Sequence, residues 1–238
     1  LCPRCRQEIM EYDTAALRQR LAGLADEKYK SFNDSLIPGG RMSFGVRKPV
    51  LDKLAHEILA GDWQGFLEAC PGEYHEERML MAMVTAGLKC GPEEKLERVK
   101  AFVPMIDNWA ICDCFCARLK DAKRYPAEYY AILPMYIESG DEYKMRFAAV
   151  MLLDHYVNDE YIDRVLKVYR SMRHDGYYLK MAVAWGISIC YIHYPEKTLE
   201  LIKDGSLDNF THNKAIQKCR ESFRVSDAGK QMLAGLKK

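Results

Sequence analysis

Apolar residues recur along this chain at helical spacing almost without interruption. Leu51, Leu54, Ala55, Ile58 and Leu59 form one such stripe, which falls on a single face of a helix. The same pattern predicts helices at 14–25, 27–36, 49–60, 63–70, 75–88, 92–102, 108–120, 126–138, 142–157, 160–172, 177–194, 195–203, 209–222 and 228–236. Breaks fall at Pro38-Gly39-Gly40, Pro71-Gly72, Gly91-Pro92 and Ser139-Gly140. Pro92, Pro126 and Pro195 stand at helix starts, where the missing N–H removes no bond. No two strand-like runs are joined by a hairpin turn, and the one long connection expected to be irregular is 37–47. The fold class is all-α.

The helices also repeat. Ala82, Phe115, Ala148 and Ala182 are 33, 33 and 34 residues apart, each midway along a longer helix, with a shorter helix in between. A two-helix unit of this length is the signature of an α-solenoid of HEAT or TPR type. We therefore expect one repeat domain over 1–238, with 1–12 an irregular N-terminal extension. The period places Asp113, Arg146 and Lys180, 33 and 34 residues apart, at equivalent positions on neighbouring parallel helices. Such axes lie about 8–10 Å apart. The row should line one surface of the solenoid, its concave one.

Composition narrows the class. Hydrophobic residues make up 49% of 238, enough for a sizeable core, and no apolar run approaches a membrane span of roughly 20 residues. The first residue is Leu1, which suggests a missing N-terminal piece, and no charged-then-apolar secretory signal follows it. A soluble, cytoplasmic, monomeric protein is expected. The nine cysteines are scattered without disulfide-like spacing and read as reduced, buried thiols. Cys2-Pro3-Arg4-Cys5 has no second ligand pair at zinc-finger distance, and His75-Glu76-Glu77-Arg78-Met79 lacks the second histidine of a zincin. No metal site and no cofactor are expected. Net charge is +1, but residues 118–238 carry 20 basic and 16 acidic side chains, which permits a nucleic-acid face without requiring one.

Candidate chemistry centres on Asn108-Trp109-Ala110-Ile111-Cys112-Asp113. Asn108 is a good N-cap, so Trp109 and Asp113 share one helix face a turn apart. An aromatic π-face beside a carboxylate suits something electron-poor. The bland alternative is a core tryptophan next to a solvated aspartate. With Arg146 and Lys180 in the same row, the choice becomes a binding site or a structural ion-pair ladder between repeats.

Asn108–Asp113, Lys144-Met145-Arg146-Phe147-Ala148-Ala149, Lys180-Met181-Ala182-Val183-Ala184-Trp185 and Gly45-Val46-Arg47-Lys48-Pro49 occur in order. Over about residues 29–222 the chain thereby resembles the AlkD-like family of bacterial alkylpurine DNA glycosylases, built from HEAT-like repeats. The resemblance implies a concave DNA-binding face and base excision repair of duplex DNA carrying N3- or N7-alkylated purines. It implies Asp113, Trp109 and Arg146 as the catalytic group, and Trp185, Lys144, Lys180 and Arg47 as substrate-binding residues. It also implies that the DNA backbone, not a flipped base, faces the aromatic walls. The chain departs from the family at Tyr143, often tryptophan there, and at Gly186-Ile187-Ser188, where a basic side chain is usual. Two readings from other classes stay open: a non-catalytic DNA-binding repeat protein, and a solenoid that binds a protein partner.

Overall fold

The structure, a computed structural model, describes residues 12–37 and 39–238. Cys2, Cys5, Pro38 and all but Tyr12 of the expected N-terminal extension lie outside the described residues. Among those described, every regular element is helical. The chain packs as two compact units, Leu1–Gly91 and Pro92–Lys238.

The first unit contains α1 (Thr14–Gly23), α2 (Glu27–Leu36), α3 (Lys48–Ala60), α4 (Trp63–Ala69) and α5 (His75–Gly87). The stripe read from the sequence packs inward, with Leu51, Leu54, Ala55 and Ile58 buried; α3 rests on α4 and α5. Four polar residues in a row, His75 to Arg78, are buried at the start of α5. Glu76, 1% exposed, accepts hydrogen bonds from the backbone N–H groups of Phe44, Gly45 and Val46 at 2.9, 2.8 and 3.1 Å. The irregular connection expected at 37–47 is thus pinned by one buried carboxylate, which satisfies three donors that burial would leave costly. Gly45 has φ +83°, and a Cβ there would meet the Lys30 Cβ at 2.5 Å. Only glycine fits. The degenerate zincin-like run is therefore a loop anchor.

The second unit contains α6 (Pro92–Phe102), α7 (Trp109–Arg118), α8 (Pro126–Ala131), α9 (Leu133–Ile137), α10 (Glu142–His155), α11 (Ile162–Ser171), α12 (Tyr177–His193), α13 (Pro195–Lys203), α14 (Asn209–Glu221) and α15 (Asp227–Ala234). The helix expected over 126–138 is two helices, because Pro134 has no N–H to carry the ladder past Ile132. The helix expected from 160 starts at Ile162, since Asn158 Oδ1 takes the N–H groups of Glu160 and Tyr161 into a turn.

The helices α7, α10, α12 and α14 stand side by side in that order. Their contacts join like ends. His155 Nε2 bonds the Cys116 carbonyl at 2.8 Å, tying the C-terminal ends of α10 and α7. Glu142, opening α10, accepts from the N–H groups of Tyr178 and Leu179 at 2.6 and 3.2 Å and so caps α12 from outside. Tyr177 and Phe210 meet at the starts of α12 and α14, with ring centroids 5.7 Å apart. The four helices are therefore parallel, and the register read from the period is physical: Phe115, Ala148 and Ala182 are fully buried. The shorter helices cover them, α9 against α10, α11 and α13 against α12, and α15 against α14. Gly186 admits Tyr169, whose hydroxyl donates to the Ala149 carbonyl at 2.9 Å; a Cβ at 186 would fall 2.3 Å from that hydroxyl. The glycine at 186 is thus a packing requirement.

Candidate functional site

Asn108 Oδ1 accepts from the Ile111 N–H at 3.1 Å and opens α7, so Trp109 is its first residue and Asp113 lies one turn on. Parallel packing then sets Arg146 of α10 opposite Asp113. Arg146 Nε donates to Asp113 Oδ1 at 3.0 Å and Nη2 to Oδ2 at 2.8 Å, a two-pronged grip. Its Nη1 donates to the Tyr178 carbonyl of α12. Arg146 is 6% exposed and Asp113 21%, so the guanidinium is sunk and the carboxylate is open on one side.

Burial pushes the Asp113 carboxyl above the ordinary carboxylate range, and the Arg146 guanidinium opposes that push. Burial also works against the charge on Arg146, but the bonds to Asp113 prevail and its pKa stands above the usual value.

Two further charged groups are within electrostatic range of Asp113. Asp154 lies on α10 eight residues beyond Arg146, two turns along the same face. Burial first and the Asp113 charge second push its carboxyl up to about 6, with Lys123 opposing. Lys218 of α14 is within electrostatic range of both Asp113 and Arg146, and burial lowers its pKa. Helical spacing held the signal for both. Lys214 stands 34 residues after Lys180 in the row, and Lys218 is one turn beyond it.

The expected residues divide as follows. Asp113 and Arg146 are in direct contact, with Trp109 half-buried one turn before Asp113. Lys144 is half-buried two residues before Arg146, and Lys180 is 3.7 Å from Asp175. Trp185 is half-buried on α12, its carbonyl accepting from Ser188 Oγ at 2.7 Å. Arg47 belongs to the other unit. There it pairs with Asp26, Nε at 3.0 Å and Nη2 at 2.9 Å, and lies over the Tyr29 ring.

A family model described as DNA alkylation repair enzyme matches residues 17–220. The chain belongs to that family. The match takes in Asp113, Arg146, Asp154 and Lys218, and ends within α14. No curated protein matches the chain significantly. As a DNA alkylation repair enzyme the protein acts on DNA, repairing alkylation damage. No helix among the described residues is long and apolar enough to cross a membrane. No disulfide joins the described cysteines, and no group of three or more His, Cys, Asp or Glu among the described residues could hold a metal ion.

The position of Asp154 in this DNA alkylation repair enzyme has a cost that can be measured. Its folded-state pKa of about 6 exceeds the roughly 3.9 of an unfolded aspartate, so the folded chain binds the proton more tightly. Stability therefore falls as pH rises between those values, and above them the charged group costs the fold roughly 1–3 kcal/mol, allowing for its partial exposure. Asp154→Asn is expected to raise Tm by about 2–8 °C at pH 7.5 and by nothing below pH ~4. An equal gain at both pH values would refute this account.

Proposed function

We propose that this protein is a monofunctional DNA glycosylase of base excision repair, acting as a monomer. It excises purines made cationic by N3 or N7 alkylation, and holds duplex DNA on a HEAT-like array of helical repeats. The observation that supports this most directly is the Asp113 carboxylate, gripped by Arg146 and open on one side, one turn from Trp109.

An N3- or N7-alkylated purine carries a positive charge and is already a good leaving group. The C1′–N bond breaks, and its electron pair leaves with the base, which becomes neutral. The sugar left behind is an oxocarbenium-like cation, and catalysis consists of stabilising it and delivering water. Asp113 faces that cation. A water oxygen bonds C1′, and Asp113 takes its proton and passes it to solvent. Burial makes Asp113 a better base than an exposed aspartate.

Arg146 spends its Nε, Nη1 and Nη2 inside the protein. In this reading it is a positioning residue, and phosphate contact in the second unit falls to Lys144, Lys180 and Lys218; Arg47 is a phosphate contact of the first unit, taken by itself. Trp109 and Trp185 cradle the deoxyribose, each offering its π-face to the developing charge for about 0.5–2 kcal/mol. Selectivity follows from the lability of a cationic lesion, and neutral lesions are poor substrates. The test is release of free 7-methylguanine from a methylated duplex under single-turnover conditions. Its absence would sink the glycosylase reading.

One observation favours a second reading, a repeat protein that binds DNA without excision: both Asp113 oxygens are already engaged by Arg146. Both readings expect sequence-indifferent binding. With about four phosphate contacts, log affinity should fall with log salt at a slope near −3 to −4, alike for two unrelated duplexes. Affinity independent of salt, or a strong preference for one duplex, would argue against either.

A further inference from the structure

A second periodic row runs beside the charged one. Trp109, Tyr143, Tyr177 and Phe210 are 34, 34 and 33 residues apart. Each is the first or second residue of its helix, on α7, α10, α12 and α14 in turn. From α10 to α14 the rings are linked without a gap. Tyr143 stacks with Tyr178 at 5.8 Å and 29°, Tyr178 meets Tyr177 at 5.3 Å, and Tyr177 meets Phe210 at 5.7 Å.

A core cluster would be hidden, and this one is not. Tyr177 is 55% exposed and Phe210 37%. One turn further along each helix comes a cation, Arg146 after Tyr143, Lys180 after Tyr177 and Lys214 after Phe210. The Lys214 ammonium stands 6.0 Å from the Phe210 ring centroid. The Asp175 carboxylate near Lys180, at 3.7 Å, is fully exposed, and such a pair is worth too little to keep a phosphate away.

We propose that this edge of the second unit is a binding site for unpaired nucleotides, taking a single-stranded stretch of DNA across the starts of α12 and α14. Bases stack on Tyr177 and Phe210, and phosphates meet Lys180 and Lys214. The proposal rests on the DNA-binding part of the function proposed above, but not on excision.

Spacing separates single strand from duplex. The Tyr177 and Phe210 ring centroids stand 5.7 Å apart, whereas a strand in B-form DNA advances about 3.4 Å per nucleotide with its bases stacked on one another. One nucleotide per repeat is therefore possible only for a stretched, unstacked strand, and only such a strand offers free π-faces to the rings. Aromatic platforms flanked by cations are the general means of holding unpaired strands without reading their sequence.

The experiment compares the affinity of the full chain for a blunt duplex with its affinity for the same duplex carrying a four-nucleotide thymidine overhang. The expected result is a preference of about tenfold or more for the overhang, which falls to about one in Tyr177→Ala/Phe210→Ala. The ring-keeping exchange Tyr177→Phe/Phe210→Tyr should retain the preference, which separates stacking from a folding defect. Overhang and blunt DNA bound equally by the wild type, or a preference that survives loss of both rings, would overturn this proposal while leaving duplex recognition intact. Failure to bind either DNA would overturn the DNA-binding reading and this proposal with it.

Discussion

Asp113→Asn is expected to slow single-turnover release of 7-methylguanine by about 10²–10³-fold, the usual cost of one preorganised electrostatic group. The substitution keeps the size of the side chain and removes its charge. If that charge stabilises an oxocarbenium, the loss falls on the transition state and not on the bound ground state. Duplex affinity should fall little, or rise, because a negative charge facing phosphates has gone. The pH profile offers a second reading of the same variant. Asp113 must be ionised to act, and burial holds its pKa above the ordinary range. The wild-type rate should therefore decline on the acid side as pH drops through that raised value, and the limb due to Asp113 should be absent from the variant. A spontaneously labile lesion leaves less for the enzyme to add, so uncatalysed release must be subtracted. Equal excision rates for the two proteins would remove Asp113 from the mechanism. No excision by the wild type would favour binding without catalysis.

Much of this site was legible in the sequence because two periodicities coincide. The 3.6-residue period set Trp109 and Asp113 on one face, and the repeat of 33–34 residues set Asp113 against Arg146, 3.0 and 2.8 Å apart in the structure. Asn108 marked the start of α7 for a local reason, its own side chain on the Ile111 N–H. What stayed hidden depends on reach through space. The bonding of Arg146 to both the carboxylate and the Tyr178 carbonyl depends on how far α12 stands from α10, which no spacing reports. Glu142 capping α12 from another helix is of the same kind: the sequence around Gly176 carries no capping side chain, and the cap comes from 36 residues away. Asp154 and Lys218 carried a helical signal, but their importance lies in burial near Asp113, a tertiary property. The break at Ile132 was readable from Pro134, since a proline that deep in a helix removes a ladder bond.

Arg146→Ala is expected to be the more damaging exchange for the fold, by about 3–5 kcal/mol at pH 7.5, because it strands the Asp113 carboxylate in a buried place. Arg146 opposes the burial of Asp113 through its hydrogen bonds and its charge, with the Lys218 charge adding less, and without Arg146 the carboxyl pKa must climb further. The sign of the pH dependence follows. A carboxyl whose folded pKa lies above its unfolded value destabilises the fold when ionised, so the deficit of Arg146→Ala should shrink as pH falls through the raised value. The double variant Asp113→Asn/Arg146→Ala removes the stranded charge and should recover a good part of the loss, giving a coupling of about 1–3 kcal/mol between the two sites. Arg146→Lys should not rescue, since a single ammonium cannot grip both oxygens and the Tyr178 carbonyl at once. Denaturant unfolding of the wild type, both single variants and the double variant at pH 5 and pH 7.5 measures all of this. Strict additivity at both pH values would mean that the buried pair holds nothing together, and that Arg146 earns its place by contact with DNA instead.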